Sequence, residues 1–441
     1  MKYSVNYNIY GLLLCGFMFA LPIKSSAQQN TRLLPIDELF QLGIENSLSL
    51  KAAKIKEKIS DDQQKTALTN RLPNIQVGIS GGIIGQPVIF QSGLTHPIRP
   101  DSPNWSQNYH IELTQPLYQG GKIRYGIQKA DLQKQITQLS TTDDQAGIKL
   151  FLLQQYMNLF NYYKQREVFE RNIEESERRL KDISRMKKEG LVTRNDEIRS
   201  ELQLTNDRLA YQEAENSISI TSQQLDILLG LNESQLISPD TTLLNDAVNL
   251  QTYEEYVQLA YENYPGLQIA RRKTQIAQTD IKLTKADYLP TFFLHAGNTL
   301  ARPLSTTLAD MYNNNWNVGL SLSYNLSSLY QNRHRMHEAR QMVQLRHNDE
   351  DQLMQDIRIH VRSVYIRHKE SLDRVKALKL SVRQAEENYR IVRNRYLNQL
   401  SILTDLLDAS SVRLEAELQL TVARSQTIYT YYELQRTCGN L

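Results

Sequence analysis

The longest regular pattern in the chain is a stripe of apolar residues with helical spacing. Positions 122–189 contain no proline, and apolar side chains recur every three or four residues, as at Leu152, Tyr156, Leu159 and Tyr163. Such a stripe is typical of an amphipathic helix. About 68 residues at about 1.5 Å each predict a rod near 100 Å long. Because that length exceeds one compact domain, we expect the rod to pack side by side with similar rods, as in coiled coils.

Three short segments instead alternate apolar and polar residues with a period of two. A strand with one apolar face and one small or polar face suits a wall between lipid and water. The same alternation also suits a half-buried strand of a soluble sheet, so the pattern alone leaves both interpretations open. The apolar positions are Ile75, Val77 and Ile79; Tyr109, Ile111 and Leu113; and Val318, Leu320, Leu322 and Tyr324.

The sequence contains an internal duplication. Residues 36–55 align without gaps onto residues 253–272, and the same offset places Pro73 on Pro290. Each proline ends a helical pattern, predicted over 36–71 and 253–288, because proline cannot continue a helix. Further along, with a slightly smaller offset, Asp196 aligns with Asp405 and Gly230 with Gly439. Two equivalent halves are predicted, each with a helix, two strands and a long helical hairpin.

The N-terminus reads as an export signal. Lys2 precedes an apolar run at 11–23, and Ser25-Ser26-Ala27 offers small residues for cleavage after Ala27. Cys15 is a poor lipidation site because the bulky Leu14 precedes it. We therefore predict a signal peptide at 1–27, a first structural repeat at 28–230, a linker at 231–252 and a second repeat at 253–441.

Composition narrows the function classes. The 51 Lys and Arg nearly balance the 48 Asp and Glu, which argues against a nucleic-acid surface. After cleavage only Cys438 would remain, so no intramolecular disulfide is expected. No phosphate loop, metal-ligand cluster or catalytic triad motif is evident, so we predict neither an enzyme nor a cofactor. His334, His337 and His347 are expected on a solvated helix face rather than at a metal.

Strand number predicts an oligomer. Two strands in each half give too few to close a transmembrane barrel, which needs about eight or more. If these strands cross a membrane, several chains must contribute to one barrel. The long helical hairpins would likewise enclose a hollow tube only in an oligomer.

Several motifs make the chain resemble the TolC family of outer-membrane efflux proteins. They are the duplication, the Leu-Pro joints at Pro73 and Pro290, LTQPLYQGGKIR at 113–124, EGLVTRND at 189–196 and TDLLDA at 404–409. The resemblance implies a mainly α fold with a small β part. Coiled helical hairpins would form a trimeric α-barrel joined to a 12-stranded transmembrane β-barrel of three chains in the outer membrane, with a large periplasmic portion.

The resemblance also implies a function. The chain would be the exit duct of a tripartite efflux or type I secretion system, acting with a periplasmic adaptor and an inner-membrane transporter. The alternative from a different class is a periplasmic coiled-coil scaffold without a pore. The substrate is not readable from the sequence, because the adaptor and transporter select it.

Candidate site residues follow from the same resemblance. The family's acidic constriction maps onto Asp405 and Asp408, which would form carboxylate rings favouring cations at a narrow mouth. Its link between neighbouring coils maps onto Tyr396 and Asp196. The helix dipole alone also favours acidic residues in a first helical turn, and Asp196 and Tyr396 also fit solvated helix positions. The predicted turn and joint residues are Gly190, Pro73, Pro290 and Pro116.

Three positions depart from the family pattern. Ser401 stands where well-known members have a basic gate residue. Gln399 replaces the turn glycine that the first half keeps at Gly190, and Asn325 replaces the proline kept at Pro116. We therefore expect the backbone of the second turn to differ from that of the first.

Overall fold

The computed structural model describes residues 31–101, 103–233, 235–240, 250–303 and 310–441. The predicted signal peptide at 1–27 lies outside these residues, as does much of the predicted linker at 231–252. The described part is mainly helical with a small sheet part, as the sequence predicts. None of its helices combines the length and apolar character that crossing a membrane would require.

The elements repeat in order along the chain. The first set is β1 (Thr31–Leu34), α1 (Ile36–Asn46), α2 (Leu48–Thr69), β2 (Asn74–Ile83), β3 (Ile89–Ser92), β4 (Thr95–Ile98), β5 (Trp105–Gln119), α3 (Lys122–Lys188) and α4 (Arg194–Leu229). The second set is β6 (Leu236–Pro239), α5 (Tyr253–Asn263), α6 (Pro265–Ala286), β7 (Thr291–Arg302), β8 (Asn313–Ser323), α7 (Ser328–Leu397) and α8 (Leu403–Thr437).

The helical patterns at 36–71 and 253–288 are each divided in two, which corrects the prediction of one continuous helix. In the second half, Pro265 begins α6 and holds Tyr264 in an extended conformation with ψ 118°. In the first half, Ser47 has ψ 120°, and its hydroxyl accepts a hydrogen bond from the Leu50 amide at 3.3 Å. Each break is thus a local signal: a proline in one copy and a capping serine in the other.

The main sheet has the order β2-β5-β7-β8, and all its pairs are antiparallel. Its register places apolar residues opposite apolar residues: Val77 faces Ile111, and Leu113 faces Ala296, which faces Val318. The opposite face is polar. There His295 forms hydrogen bonds with Thr114 at 3.2 Å and Ser321 at 2.8 Å.

The apolar face of this sheet is uncovered in the single chain. Val77 is 73% exposed and Leu320 is 74% exposed, although a soluble sheet would bury such positions. The exposed apolar side chains of this face include Ile75, Val77, Ile79, Ile111, Trp316, Val318, Leu320 and Leu322.

The sequence did not predict two smaller sheets. β1 pairs in parallel with β6, and β3 and β4 form a hairpin in the connection that joins β2 to β5 along the chain. The β1–β6 pair lies over the helices: the Tyr156 hydroxyl donates to the Leu34 carbonyl, and the Ile237 amide donates to the Ser222 hydroxyl at 3.4 Å. These strands tie the start of the chain to the segment that follows α4.

Long helices pack as two hairpins. α3 packs against α4, α7 packs against α8, and α3 also contacts α8, which joins the hairpins along their length. Two apolar clusters lie near the middle of the helices, around Tyr156 and around Val361. A third lies at the far ends of the hairpins, where the candidate site is found.

Candidate functional site

The two helical turns lie side by side at one end of the molecule. We define the helical tip as the α3–α4 turn at 189–193, the α7–α8 turn at 398–402 and the adjoining helix ends. One apolar cluster contains Ile183 of α3, Tyr396 of α7 and Leu406 of α8, with Val192 of the first turn packed against it. This shared cluster holds the two turns in a fixed relation.

Both turns share the same backbone, which corrects the expectation that they differ. Gly190 has φ 76° and Gln399 has φ 61°, so both adopt the left-handed conformation. In the first turn the Leu191 amide donates to the Met186 carbonyl at 2.9 Å. The equivalent bond, from Leu400 to Arg395, measures 2.8 Å. The hydrogen bonds that close the helix therefore impose the conformation even where the side chain is not glycine.

Asp196 begins α4 in a capping box. Its carboxylate accepts from the Thr193 amide at 2.9 Å and the Thr193 hydroxyl at 2.7 Å. The Asp196 amide in turn donates to the Thr193 hydroxyl at 3.2 Å. Thr193 and Asp196 thus form a capping box, in which each side chain satisfies the backbone amide of the other.

Asp405 takes the equivalent place at the start of α8. Its carboxylate accepts from the Ser401 hydroxyl at 2.7 Å and the Ile402 amide at 3.4 Å. Ser401, which replaces the family's basic gate residue, thus supports the carboxylate. Asp408 lies one helical turn further along, and both side chains are exposed. In the described part of the chain, no cationic side chain pairs with either, so two carboxylates face solvent at the tip.

Tyr396 is 5% exposed and belongs to the tip cluster. Burial raises the pKa of its phenol above the usual value, and the nearby charge of Asp196 raises it further. The two predicted link residues are therefore close within one chain. Among the described residues, however, the Tyr396 hydroxyl has no hydrogen-bond partner.

Polar links behind the tip hold α3 against α8. Arg413 donates to the Glu175 carboxylate at 2.6 and 3.1 Å, and its guanidinium lies 4.2 Å from the centre of the Tyr389 ring. Arg179 donates to the Ser176 hydroxyl at 2.6 Å and contacts the Ser410 hydroxyl at 3.5 Å. Sequence reasoning missed the Glu175–Arg413 and Arg179–Ser410 contacts because their partners lie more than 200 positions apart and share no motif.

Predicted joint residues mark the other end of the helices. Pro73 and Pro290 immediately precede β2 and β7. Pro116 lies in β5 where its register with β7 shifts. At the position equivalent to Pro116, Asn325 accepts a hydrogen bond from the Ser327 amide at 3.1 Å and prepares the start of α7.

His334, His337 and His347 are exposed on α7. Within the ranges that the structure describes, no group of three or more His, Cys, Asp or Glu side chains is placed to hold a metal ion.

Comparison with known proteins decides the fold. The family of outer membrane efflux proteins matches residues 256–440. A sequence comparison with curated proteins gives no match. Among solved structures, the channel protein CusC is 15% identical with a TM-score of 0.79, and the match covers 92% of each chain. The resemblance to the TolC family of outer-membrane efflux proteins is confirmed.

Two further outer-membrane proteins share this fold. VceC of Vibrio cholerae is 16% identical with a TM-score of 0.75, covering 92% of this chain and 96% of its own. MtrE of Neisseria gonorrhoeae, in its open state, is 17% identical with a TM-score of 0.71, covering 92% and 89%. The descriptions of these matches concern outer-membrane proteins and channels rather than enzymes, in agreement with the location and class expected from the sequence.

Proposed function

We propose that this chain forms the outer-membrane exit duct of a tripartite efflux or type I secretion system. It would passively conduct small molecules or proteins from an inner-membrane transporter to the exterior. The observation that carries this proposal is the sheet β2-β5-β7-β8, whose apolar face is uncovered and whose polar face is lined by hydrogen-bonded side chains. Lipid would cover the first face, and water in a pore would wet the second.

Oligomerisation follows from the edges of that sheet. β2 and β8 each pair with one neighbour only in the described part of the chain, so each presents a free edge. A transmembrane sheet must close because lipid cannot satisfy a free edge. β2 of one copy would pair with β8 of the next, and three copies of the four-stranded sheet would give the 12-stranded barrel of a homotrimer.

The helical tip is proposed as the periplasmic mouth. Asp405 and Asp408 of three copies would form two acidic rings that attract cations and bind divalent ions where the pore is narrow. Tyr396 and Asp196 would link neighbouring coils, and Gly190 would form the turn between them. The predicted repeats at 28–230 and 253–441 would supply one hairpin each to this mouth, with the predicted linker 231–252 between them in the chain.

The resemblance to the TolC family also implies partners. The tip would dock to a periplasmic adaptor protein and, through it, to an inner-membrane transporter. Energy for export would come from the transporter, and the duct itself would need no catalytic group.

Conductance in planar bilayers tests the proposal. Purified protein should form ion-conducting channels that divalent cations block from the side of the tip. Replacing both Asp405 and Asp408 by Asn should weaken that block by about tenfold or more. Carboxylates bind divalent cations mainly through their negative charge, which the Asn side chains lack. Glu213→Gln, at an exposed carboxylate well along α4 from the two turns, is the control and should leave the block unchanged.

Two results would count against the proposal. Unchanged block in the double variant would remove the assignment of the acidic rings but leave the pore standing. Absence of channels, together with recovery of the protein in the soluble periplasmic fraction, would favour the scaffold alternative.

A further inference from the structure

The four connections between the main sheet and the neighbouring helices lie together, at the same end of the strands. β2 begins after α2, β5 leads into α3, β7 begins after α6, and β8 leads into α7. Because neighbouring strands are antiparallel, these ends coincide: Gln119 lies opposite Thr291, and Thr291 lies opposite Ser323. We define the joint collar as residues 69–74, 119–126, 282–291 and 323–336.

The joint collar is strongly basic. It contains seven cationic side chains against one carboxylate, Asp287, which gives a net charge of +6 from 7 − 1. The described residues beyond the opposite ends of the strands, 84–101, 103–104, 302–303 and 310–312, are balanced, with two cations and two carboxylates. The charge asymmetry therefore belongs to one end of the strands. The collar cations are Arg71, Lys122, Arg124, Lys282, Lys285, Arg333 and Arg335.

Most of these cations are unused within the chain. Lys122 pairs with Asp287 at 2.5 Å, and Lys282 lies 5.7 Å from the centre of the Tyr125 ring. The other five are exposed, and none forms an ion pair with any described residue. In contrast, Arg302, at the opposite end of the strands, donates two hydrogen bonds to the Asp310 carboxylate, each 2.8 Å long. The unpaired cations are Arg71, Arg124, Lys285, Arg333 and Arg335.

Apolar and aromatic side chains lie immediately beside these cations. Tyr330 is 68% exposed on α7, one helical turn before Arg333, and Tyr324 and Leu72 are also exposed. Exposed tyrosines next to lysines and arginines are typical of the boundary between acyl chains and headgroups, where rings lie in the boundary and cations reach the phosphates.

We propose that the joint collar binds anionic phospholipid headgroups of the membrane leaflet on the helical side. This inference rests on the proposed function, since it requires the sheet to cross a membrane. The phosphodiester of phosphatidylglycerol supplies the negative charge that the collar lacks, and it lies at the depth where the strands end. The collar would thereby set how far the sheet sinks into the bilayer.

Lipid selection by the purified full chain tests the proposal. The protein is reconstituted in vesicles of equal parts phosphatidylglycerol and phosphatidylcholine, extracted with mild detergent and purified, and the ratio of the two retained lipids is measured. We expect phosphatidylglycerol to be enriched at least about fivefold at low salt, with the enrichment falling at high salt as the charges are screened.

A variant with all five unpaired cations changed to Gln (R71Q, R124Q, K285Q, R333Q and R335Q) should retain the two lipids equally. The matched control instead loses five exposed cations of α3 and α7 towards the helical tip, none of them in an ion pair with a described residue, and should keep the enrichment (K181Q, K188Q, K379Q, R383Q and R393Q). If the variant with five substitutions fails to fold, two other measurements test the same proposal. The double variant R333Q/R335Q should show a smaller enrichment, and so should the unchanged chain at high salt.

Several results would overturn the collar. Equal retention of both lipids by the unchanged chain, in protein that floats with the vesicles, would do so and leave the proposed function intact. So would loss of the oligomer in the collar variant with unchanged lipid selection, because the cations would then meet carboxylates of a neighbouring copy. If the protein associated with vesicles of neither lipid, both this proposal and the proposed function would be overturned.

Discussion

At Gln399 a side chain occupies a conformation that favours glycine. The equivalent Gly190 has the same left-handed backbone and only open space where a Cβ would lie. A non-glycine residue there costs about 1 kcal/mol because its Cβ crowds the following carbonyl. The second turn therefore stores a small strain that the first turn avoids.

Exchange between these two positions gives a matched pair of variants. Gln399→Gly should stabilise the chain by up to about 1 kcal/mol, and Gly190→Gln should destabilise it by a similar amount. Thermal unfolding of the purified protein measures both. Neither Gly190 nor Gln399 belongs to the tip cluster, so packing should not change. If both variants shifted the unfolding temperature in the same direction, the backbone explanation would be contradicted.

Asp405 illustrates how much of the site the sequence predicts. Its alignment with Asp196 places both at helix starts, and the structure shows both as caps. The buried Arg179 and the Glu175–Arg413 pair were not predictable, because they depend on how α3 packs against α8. Spacing reveals contacts within one helix or turn, but it does not reveal which residues of two distant helices meet.

At the scale of elements, α4 carries a carboxylate with no compensating partner. Asp226 is completely buried, and neither of its oxygens has a hydrogen-bond partner among the described residues. Burial raises its pKa from 3.8 to about 6, which the charge of Arg32 on β1 partly opposes. The group therefore resists ionisation where α4 packs near the β1–β6 pair.

This carboxylate predicts a pH dependence of stability. Below about pH 3 the Asp226 carboxyl is protonated in both the folded and the unfolded chain, so it costs nothing. As pH rises through the unfolded pKa of 3.8 towards the folded pKa of about 6, the unfolded chain releases the proton first, so stability falls. Asp226→Asn should therefore stabilise the folded chain by about 2–3 kcal/mol above pH 6, which raises the unfolding temperature, and should leave stability unchanged below about pH 3.

Glu213→Gln, at an exposed carboxylate of the same helix, serves as the control in the same unfolding series. Equal stabilisation of the Asn variant at both pH extremes would show that the gain comes from packing rather than from a buried charge.

Elements with strong periodicity were predicted well. The rod expected over 122–189 is α3, Lys122–Lys188, and the strands centred on Val77, Ile111 and Leu320 are β2, β5 and β8. The breaks at Ser47 and Tyr264 were missed because the apolar stripe continues across them. β1, β3, β4 and β6 were missed because four residues are too few to show alternation, and pairing partners far along the chain decide whether they form strands.

At the scale of the whole molecule, an added charge should have opposite effects on the two faces of the main sheet. Val77 and Gln76 are adjacent on β2 and both exposed in the single chain. If the sheet crosses a membrane, Val77→Arg should cost about 2–4 kcal/mol because the charge enters lipid, whereas Gln76→Arg should be tolerated in the pore. Recovery of each variant in the outer-membrane fraction measures the difference. A sheet exposed to water on both faces would treat the two substitutions alike.

The free edges of β2 and β8 have a consequence for biogenesis. If the sheet crosses a membrane as proposed, a lone chain could not complete its own membrane-spanning part. Insertion would then await the encounter of several copies and should depend steeply on their concentration. Until then each newly exported chain would carry two open strand edges and an apolar face in an aqueous compartment, a combination prone to aggregation. Cells that make this protein would therefore need to match its synthesis to the capacity of their periplasmic chaperones, and overproduction should yield aggregates before it yields more pores.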